Sequence, residues 1–198
     1  MVVGERRWYV AGLDLGQKRD FSAIALLEIA ERVLDRRDPV TWEQAKETCV
    51  RLVYLERVEL GTPYPDVVAH VVGLMGDARL KDSTLVVDAT GVGTPVDMLR
   101  KANLPCRLMP VTITGGEHDS PVKGGYHVPK RELLTGLQVL VQQGLLRIPR
   151  RLMLTDAFIQ ELVGMKEGSR DDLALATSLA WWWARKSEAW RGVRGRVV

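Results

Sequence analysis

Residues 8–29 read WYVAGLDLGQKRDFSAIALLEI, two short apolar runs separated by a polar turn. The first run, residues 8–15, is rich in aromatic and β-branched side chains, which is typical of a buried strand. The second run, residues 22–29, follows after a six-residue turn and is expected to pair with the first as a hairpin. An acid, Asp14, stands where the first strand ends, and the architecture of the rest of the chain is inferred outward from this hairpin.

The downstream pattern adds strands first and then alternates helices with strands. Residues 50–60 alternate apolar and polar side chains and predict a third, half-exposed strand. The polar segment before it, residues 31–48, is interrupted by Asp38-Pro39 and predicts a loop or a projecting excursion. Further strands are predicted at 85–88, 107–113 and 145–148, helices from about 64, within 91–102 and at 129–143 and 171–187, and either a helix or a strand at 153–165. This order predicts a mixed α/β sheet with helices on both faces.

Composition indicates one globular domain over residues 1–198. The chain is 46% hydrophobic and 27% charged, which excludes a disordered protein. No run of about 20 apolar residues is present, so no membrane span is predicted. No signal peptide is visible. Cys49 and Cys106 lack paired spacing and predict reduced thiols in a cytoplasmic protein. Residues 114–125 are glycine-rich and predict a flexible loop that either gates a cleft or is plain surface.

Positive charge is concentrated in one part of the chain. The formal net charge is +3, yet residues 121–151 alone carry six Lys and Arg against one acid, which makes that segment +5 and the remainder −2. Residues 188–198 form a second basic stretch, predicted to be a tail. This distribution fits a protein that meets a polyanion and also holds carboxylates, although a solvated basic face is the ordinary alternative.

Acids stand at the ends of predicted elements. Asp14 ends the first strand and Asp88 the fourth, while Asp171 and Asp172 open the last helix. A charged group is costly to bury, and open α/β sheets place their sites at the carboxyl edge. Carboxylates that converge there would repel one another unless hard divalent cations bind between them, and two such ions suit in-line displacement at phosphorus. Turn roles for the strand acids and capping roles for the helix acids are the alternatives.

Four motifs occur in order: GLDLG at 12–16, VVDATGVG at 86–93, VPKREL at 128–133 and RDDLALATSLAWWW at 170–183. Together they resemble the C-terminal nuclease domain of the large terminase subunits of tailed bacteriophages, over roughly residues 8–183. That resemblance implies the RNase H-like fold shared with Holliday-junction resolvases, in which an antiparallel three-strand meander is followed by parallel strands. It also implies a metal-dependent endonuclease of low sequence specificity that cuts concatemeric DNA during genome packaging.

The resemblance assigns roles to the acids. Asp14 would bridge two divalent cations, Mg²⁺ or Mn²⁺. Asp88 would be the ligand from the second motif, and Asp172 the ligand carried by the helix. Asp171 would either assist as a further ligand or only cap the helix. Asp20 corresponds to an acid often found before the second strand, with no role assigned.

Other positions of the resemblance concern partners. Ser169 stands where relatives often carry His or Asp, which leaves no fourth ligand at that position. No P-loop of the form GxxxxGK[ST] occurs, so no ATPase domain is predicted. The implied partners are double-stranded DNA and a packaging ATPase domain, portal or small terminase subunit, in the cytoplasm of a bacterial host. The side chains expected to hold DNA phosphates are Lys123, Lys130, Arg131, Arg147 and Arg150.

Three other interpretations remain open. A junction resolvase would share the fold and chemistry but act on a branched substrate. A DNA-binding or motor-docking module would retain the fold without activity. The pair GLDLG and VDATGVGT also resembles the phosphate loops of actin-like ATP-binding proteins.

Three adjacent tryptophans, Trp181, Trp182 and Trp183, lie on one predicted helix. They are not expected all to face inward, so one of them would cover a partner or stack on bases.

Overall fold

The computed structural model describes residues 1–16, 20–164 and 171–187. Its core is a sheet of eight strands, whose length varies from two residues to fifteen. The strands are β1 Val2–Asp14, β2 Ala23–Arg37, β3 Gln44–Arg57, β4 Thr84–Asp88, β5 Arg107–Thr114, β6 Ser120–Val122, β7 Gly125–Pro129 and β8 Leu146–Arg147. The helices are α1 Tyr64–Met75, α2 Gly93–Lys101, α3 Lys130–Gln142, α4 Thr155–Val163 and α5 Asp172–Lys186.

The strand order confirms the RNase H-like mixed sheet. Across the sheet the order is β6-β7-β5-β4-β1-β2-β3-β8. The first three strands form an antiparallel meander, and β4, β5 and β7 continue from β1 in parallel. Parallel strands need crossover connections, and in the chain α1 lies between β3 and β4 and α2 between β4 and β5. No helix in the described part of the chain is long and apolar enough to cross a membrane.

Helices cover both faces of the sheet, and strand alternation decides which residues meet which helices. On one face, Leu13 and Val87 pack with residues of α1 and α2. On the other face, Val10 and Val86 pack with α5 and with residues of α3. Successive side chains of a strand point to opposite faces. Asp14 and Asp88, each one residue beyond Leu13 and Val87, therefore face the α5 side.

Gly12 lets α5 lie directly on β1. A Cβ built on Gly12 would lie 1.9 Å from the carbonyl oxygen of Ala176 and 3.0 Å from the amide nitrogen of Ala180. Only a residue without a side chain fits that gap. The first glycine of GLDLG is thus explained by helix–strand packing, which brings the start of α5 to the end of β1.

The structure corrects the expectation for the three tryptophans. Trp181, Trp182 and Trp183 are only 4%, 2% and 6% exposed. All three face protein because α5 is enclosed on several sides, by the sheet, by α3 and by the segment between β5 and β7. The Trp181 indole donates to the carbonyl of Gly136 in α3, and Tyr126 of β7 packs against the other two rings.

The segment predicted as a loop or a projecting excursion is a projecting strand hairpin, and the predicted glycine-rich loop contains one short strand. Residues 31–48 form the outer half of the β2–β3 hairpin, with only the turn around Asp38 outside the strands. The polar composition reflects the exposure of that part of the hairpin, not irregular structure. Within 114–125 the structure places β6, and Asp119 accepts hydrogen bonds from Trp182 and Lys186 of α5. The ambiguous segment 153–165 contains α4, and the basic stretch 188–198 lies outside the described residues.

Candidate metal-binding edge of the sheet

The predicted strand acids end neighbouring parallel strands. Leu13 pairs with Val87, so Asp14 and Asp88 are the next residues of β1 and β4 at the same level. On the other side of β1, Asp14 pairs with Ala23, and Ala23 pairs with Arg57. One row across the sheet edge therefore contains Arg57, Ala23, Asp14 and Asp88, all on the face that α5 covers.

The loop after β4 holds Asp88 in place. Its Oδ1 accepts from the backbone nitrogen of Thr90 at 2.8 Å and from the Thr90 hydroxyl at 2.5 Å. Thr90 Oγ1 in turn accepts from the backbone nitrogen of Ile113 in β5 at 2.7 Å. Asp88 is 9% exposed, and burial raises its pKa, while the two bonds from Thr90 and the charge of Lys130 oppose that rise. Asp88 therefore stabilises the turn after β4, as considered from the sequence, and it still lies at the end of its strand.

Gly16, two residues after Asp14, packs closely against the residues that precede β2. A Cβ on Gly16 would lie 2.2 Å from the carbonyl oxygen of Asp20, and the Gly16 amide donates to the Ser22 hydroxyl at 3.2 Å. The pKa of Asp14 lies well above its usual range, first because the carboxyl is desolvated and then because Asp88, Asp172 and Asp171 repel its charge. That repulsion shows that carboxylates distant in sequence act on one another here.

Both acids of the last motif lie at the start of α5. Asp171 occupies the N-cap position but makes no side-chain capping bond; its carboxylate instead pairs with Lys130 Nζ at 2.7 Å. Lys130 begins α3 directly after β7, and its charge lowers the pKa of Asp14 and Asp88. Asp172 is the first helical residue and is 9% exposed. Asp171 thus stands at the N-cap position considered from the sequence, without a side-chain capping bond.

Two residues of the site were not anticipated from the sequence. Arg57 Nε lies 3.5 Å from Asp172 Oδ2, and the same guanidinium pairs with Glu161 of α4. Glu161 also accepts from the backbone nitrogen of Ala174 at 2.8 Å, so it caps the first turn of α5 from another helix. The available signal was an acid on the buried side of α4, three residues after Phe158.

The donor set fits hard divalent cations, although it does not form a closed coordination shell. Carboxylate oxygens are the ligands that Mg²⁺ and Ca²⁺ prefer, and Asp14, Asp88 and Asp172 present them at one edge. Within the described ranges, however, no three His, Cys, Asp or Glu side chains are grouped tightly enough to hold one ion. A bound cation would therefore have to draw these side chains together, which would offset the repulsion felt by Asp14.

The predicted phosphate-binding cations do not form one patch. Lys130 lies beside Asp171 at the start of α3, and Arg131 is the next residue of that helix, where it lines a pocket with Glu117 and His118. Lys123 lies in the turn before β7, at the amino end of that strand. Arg147 of β8 lies opposite Arg51 of β3 in the sheet. That row crosses β1 at Tyr9, five residues before Asp14, which is about 16 Å along the strand. Arg150 is exposed in the turn after β8.

Asp20 lies apart from this group of acids. It is exposed and lines a cleft of about 840 Å³ between the loops that follow β1, β3 and β4, where α1 and α2 begin. The acids face α5, on the other side of the sheet, so Asp20 is not one of the grouped carboxylates. Ser169 lies outside the described residues.

Comparison with known proteins finds structural similarity but no sequence family. No protein-family model matches the chain, and no curated protein matches its sequence. Among solved structures, the chain is similar to T. thermophilus RuvC in complex with a Holliday junction substrate. The two are 15% identical with a TM-score of 0.42, over 93% of this chain and 96% of that one.

Proposed function

We propose that this protein is a metal-dependent nuclease that hydrolyses DNA phosphodiester bonds. The observation that carries the proposal is the level placement of Asp14 and Asp88 at the ends of two neighbouring parallel strands, facing the helix that begins with Asp172. Such an edge is where open α/β sheets place their sites. The raised pKa of Asp14 adds a physical reason, because a divalent cation would relieve the repulsion among these acids.

In this proposal, Asp14, Asp88 and Asp172 hold the cations. Bound there, the cations would supply an activated water and would stabilise charge on the leaving oxygen. Asp14 is next to Asp88 in the row and faces α5, which begins with Asp172, and by the resemblance it would be the ligand that the two cations share. Thr90 holds the Asp88 carboxylate through Oδ1, which limits its rotation when a ligand binds. Asp171 would not bind a cation itself but would hold Lys130 beside the other acids.

Lys130 and Arg131 are the cations placed to meet a scissile strand. Both are exposed and both lie in the first turn of α3, whose first residue, Lys130, pairs with Asp171. Contacts from such side chains to phosphates give affinity without reading base sequence. Binding should accordingly weaken steeply as salt increases. Lys123 and Arg147 would contact DNA only if the duplex extends well beyond the cleavage site, and Arg150 would do so from the turn after β8.

The direct test is cleavage of supercoiled plasmid with Mn²⁺ or Mg²⁺. We expect nicking and linearisation with either metal and none with EDTA. Asp14→Asn should reduce the rate by more than about 100-fold, since even residues behind a metal ligand change affinity or activity by 10–100-fold. Asp97→Asn is the matched control, because Asp97 is an exposed acid of α2 whose partner is Arg100.

Each outcome decides a separate point. Loss in Asp14→Asn with retention in Asp97→Asn supports the proposed site. Equal activity of Asp14→Asn and wild type would overturn it. Protein that is folded, binds DNA and cuts with neither metal would instead indicate a binding or motor-docking module.

Within this nuclease class, we infer the packaging type from the four motifs in the order that large terminase subunits show. Linear duplex and a four-way junction of the same arms, offered together, separate the two nuclease substrates. Comparable cutting of both supports a low-specificity packaging nuclease, which would work with a separate motor. Selective, paired cuts at the junction would assign the protein to the resolvase type.

A further inference from the structure

A chain of buried charges joins three elements at the candidate site. Glu161 of α4 pairs with Arg57 of β3, and Arg57 Nε lies 3.5 Å from Asp172 Oδ2 at the start of α5. Their side chains are 5%, 16% and 12% exposed, in that order. The three residues are separated by at least ten positions in sequence, so the fold alone brings them together.

Stability is a poor explanation for this chain of charges. Desolvating ionic groups costs several kcal/mol each, and replacing a buried ion pair by apolar side chains is often neutral or stabilising. The group also contains two acids and one base, so it is not charge-balanced. A function in which the geometry of one of the acids matters accounts for the arrangement better.

The contacts are those needed to fix Asp172. Glu161 accepts from the backbone nitrogen of Ala174, two residues beyond Asp172, so the same carboxylate holds the first turn of α5 and orients the guanidinium. Arg57 also lies over the ring of Phe21, 5.6 Å from its centroid, which restrains the guanidinium on another side. The planar fork of arginine can serve two carboxylates at defined angles, which a lysine ammonium cannot.

We propose that Arg57 and Glu161 are positioning residues, which set the backbone and the carboxylate of Asp172 for cation binding. This inference rests on the proposed metal-dependent function. It assigns neither residue a contact with substrate or metal. Their effect is transmitted through Asp172 and is visible in metal affinity without any DNA present.

The test separates positioning from charge. The double variant Arg57→Gln/Glu161→Gln removes one positive and one negative charge, so the net charge near Asp172 is unchanged. The matched control is Arg51→Gln/Glu28→Gln, which removes a similar ion pair between β3 and β2, with Arg51 Nη2 2.9 Å from Glu28 Oε2. Binding of Mn²⁺ is measured by calorimetry on folded protein, with folding checked by circular dichroism.

We expect Mn²⁺ affinity to fall by about tenfold or more in the site double variant, the range reported when groups behind a ligand are removed, and to stay within twofold of wild type in the control. Arg57→Lys keeps the charge and loses the fork, so its affinity should fall by several-fold; it decides the question if the double variant does not fold. Unchanged affinity in the folded double variant, or in Arg57→Lys when the double variant is unfolded, overturns the positioning role alone. Absence of Mn²⁺ binding to wild type overturns the proposed function and this inference with it.

Discussion

The contact between β1 and α5 makes Gly12 the most restrictive position of the first motif. Gly12→Ala would place its new Cβ 1.9 Å from the Ala176 carbonyl oxygen, where ordinary contacts begin at 3.4 Å, so strand and helix must part by about 1.5 Å. The blocking atoms belong to backbone and cannot rotate away. Because α3 and α4 cover the other sides of α5, the helix cannot move without disturbing them.

The cost of this substitution follows from overpacking. Extra methyl groups in a packed core typically cost about 1–3 kcal/mol of stability. Because the colliding atoms are backbone and cannot rotate away, we expect the free energy of unfolding to fall by about 3 kcal/mol or more. Separation of β1 from α5 also moves Asp14 away from Asp172. Displacements of about 1 Å in a catalytic arrangement cost on the order of 100-fold in rate. Loss of cleavage should therefore accompany loss of stability.

Urea denaturation followed by circular dichroism measures the stability, and plasmid nicking measures the rate. Gly4→Ala is the control on the same strand, since its Cβ would meet only Val33 at 3.9 Å. It should change the free energy of unfolding by less than about 0.5 kcal/mol, as surface substitutions usually do. If Gly12→Ala unfolds at the same urea concentration as Gly4→Ala, the packing of α5 on β1 described above is wrong.

Three further outcomes are expected. The raised pKa of Asp14 means that, without metal, its stabilising contribution is full below about pH 3.9, its unfolded value, and is lost as the pH rises through its folded value. Asp14→Asn should thus gain stability over wild type in EDTA as the pH rises from 4.5 to 7.5, and a pH-independent difference in urea midpoints would contradict this. Asp119→Ala removes the acceptor for Trp182 and should cost about 1–2 kcal/mol and speed amide exchange in 115–125. Thr90→Val removes the hydroxyl bond to Asp88 and should raise the pKa of that carboxyl further, by NMR titration; an unchanged titration would contradict the assigned bond.

Local patterns were sufficient for the elements that form the acidic edge. The apolar runs ending at Asp14 and Asp88 predicted strands because a buried parallel strand is apolar throughout and its end is marked by a polar residue. The last helix was predicted from its spacing and its opening acids. These features depend on neighbours in sequence, and the structure confirms where both strands end and the bounds of the helix, although β1 begins at Val2, six residues before the predicted start.

Three features could not be predicted from local sequence because they depend on how the elements pack together. The outer part of the β2–β3 hairpin is polar because both partners are exposed there, and a polar strand resembles a loop in sequence. The three adjacent tryptophans are buried because protein surrounds α5, a condition that no helix periodicity encodes. Pairing of Arg57 with Glu161 depends on β3 and α4 meeting, 104 residues apart in sequence. No sequence spacing predicts an ion pair between residues so far apart in the chain.

The distribution of counter-charges identifies the acid that most needs a cation. Asp172 faces Arg57, and Asp171 pairs with Lys130, so each helix acid has a basic side chain beside it. For Asp14, in contrast, no Lys, Arg or His in the described part of the chain forms an ion pair with its carboxylate. Burial first, and then repulsion from three neighbouring acids, raises the pKa of Asp14, while the charge of Lys130 lowers it. A divalent cation at this edge therefore gains most from Asp14, which is why Asp14→Asn is a sharper test of the metal site than substitution of either helix acid.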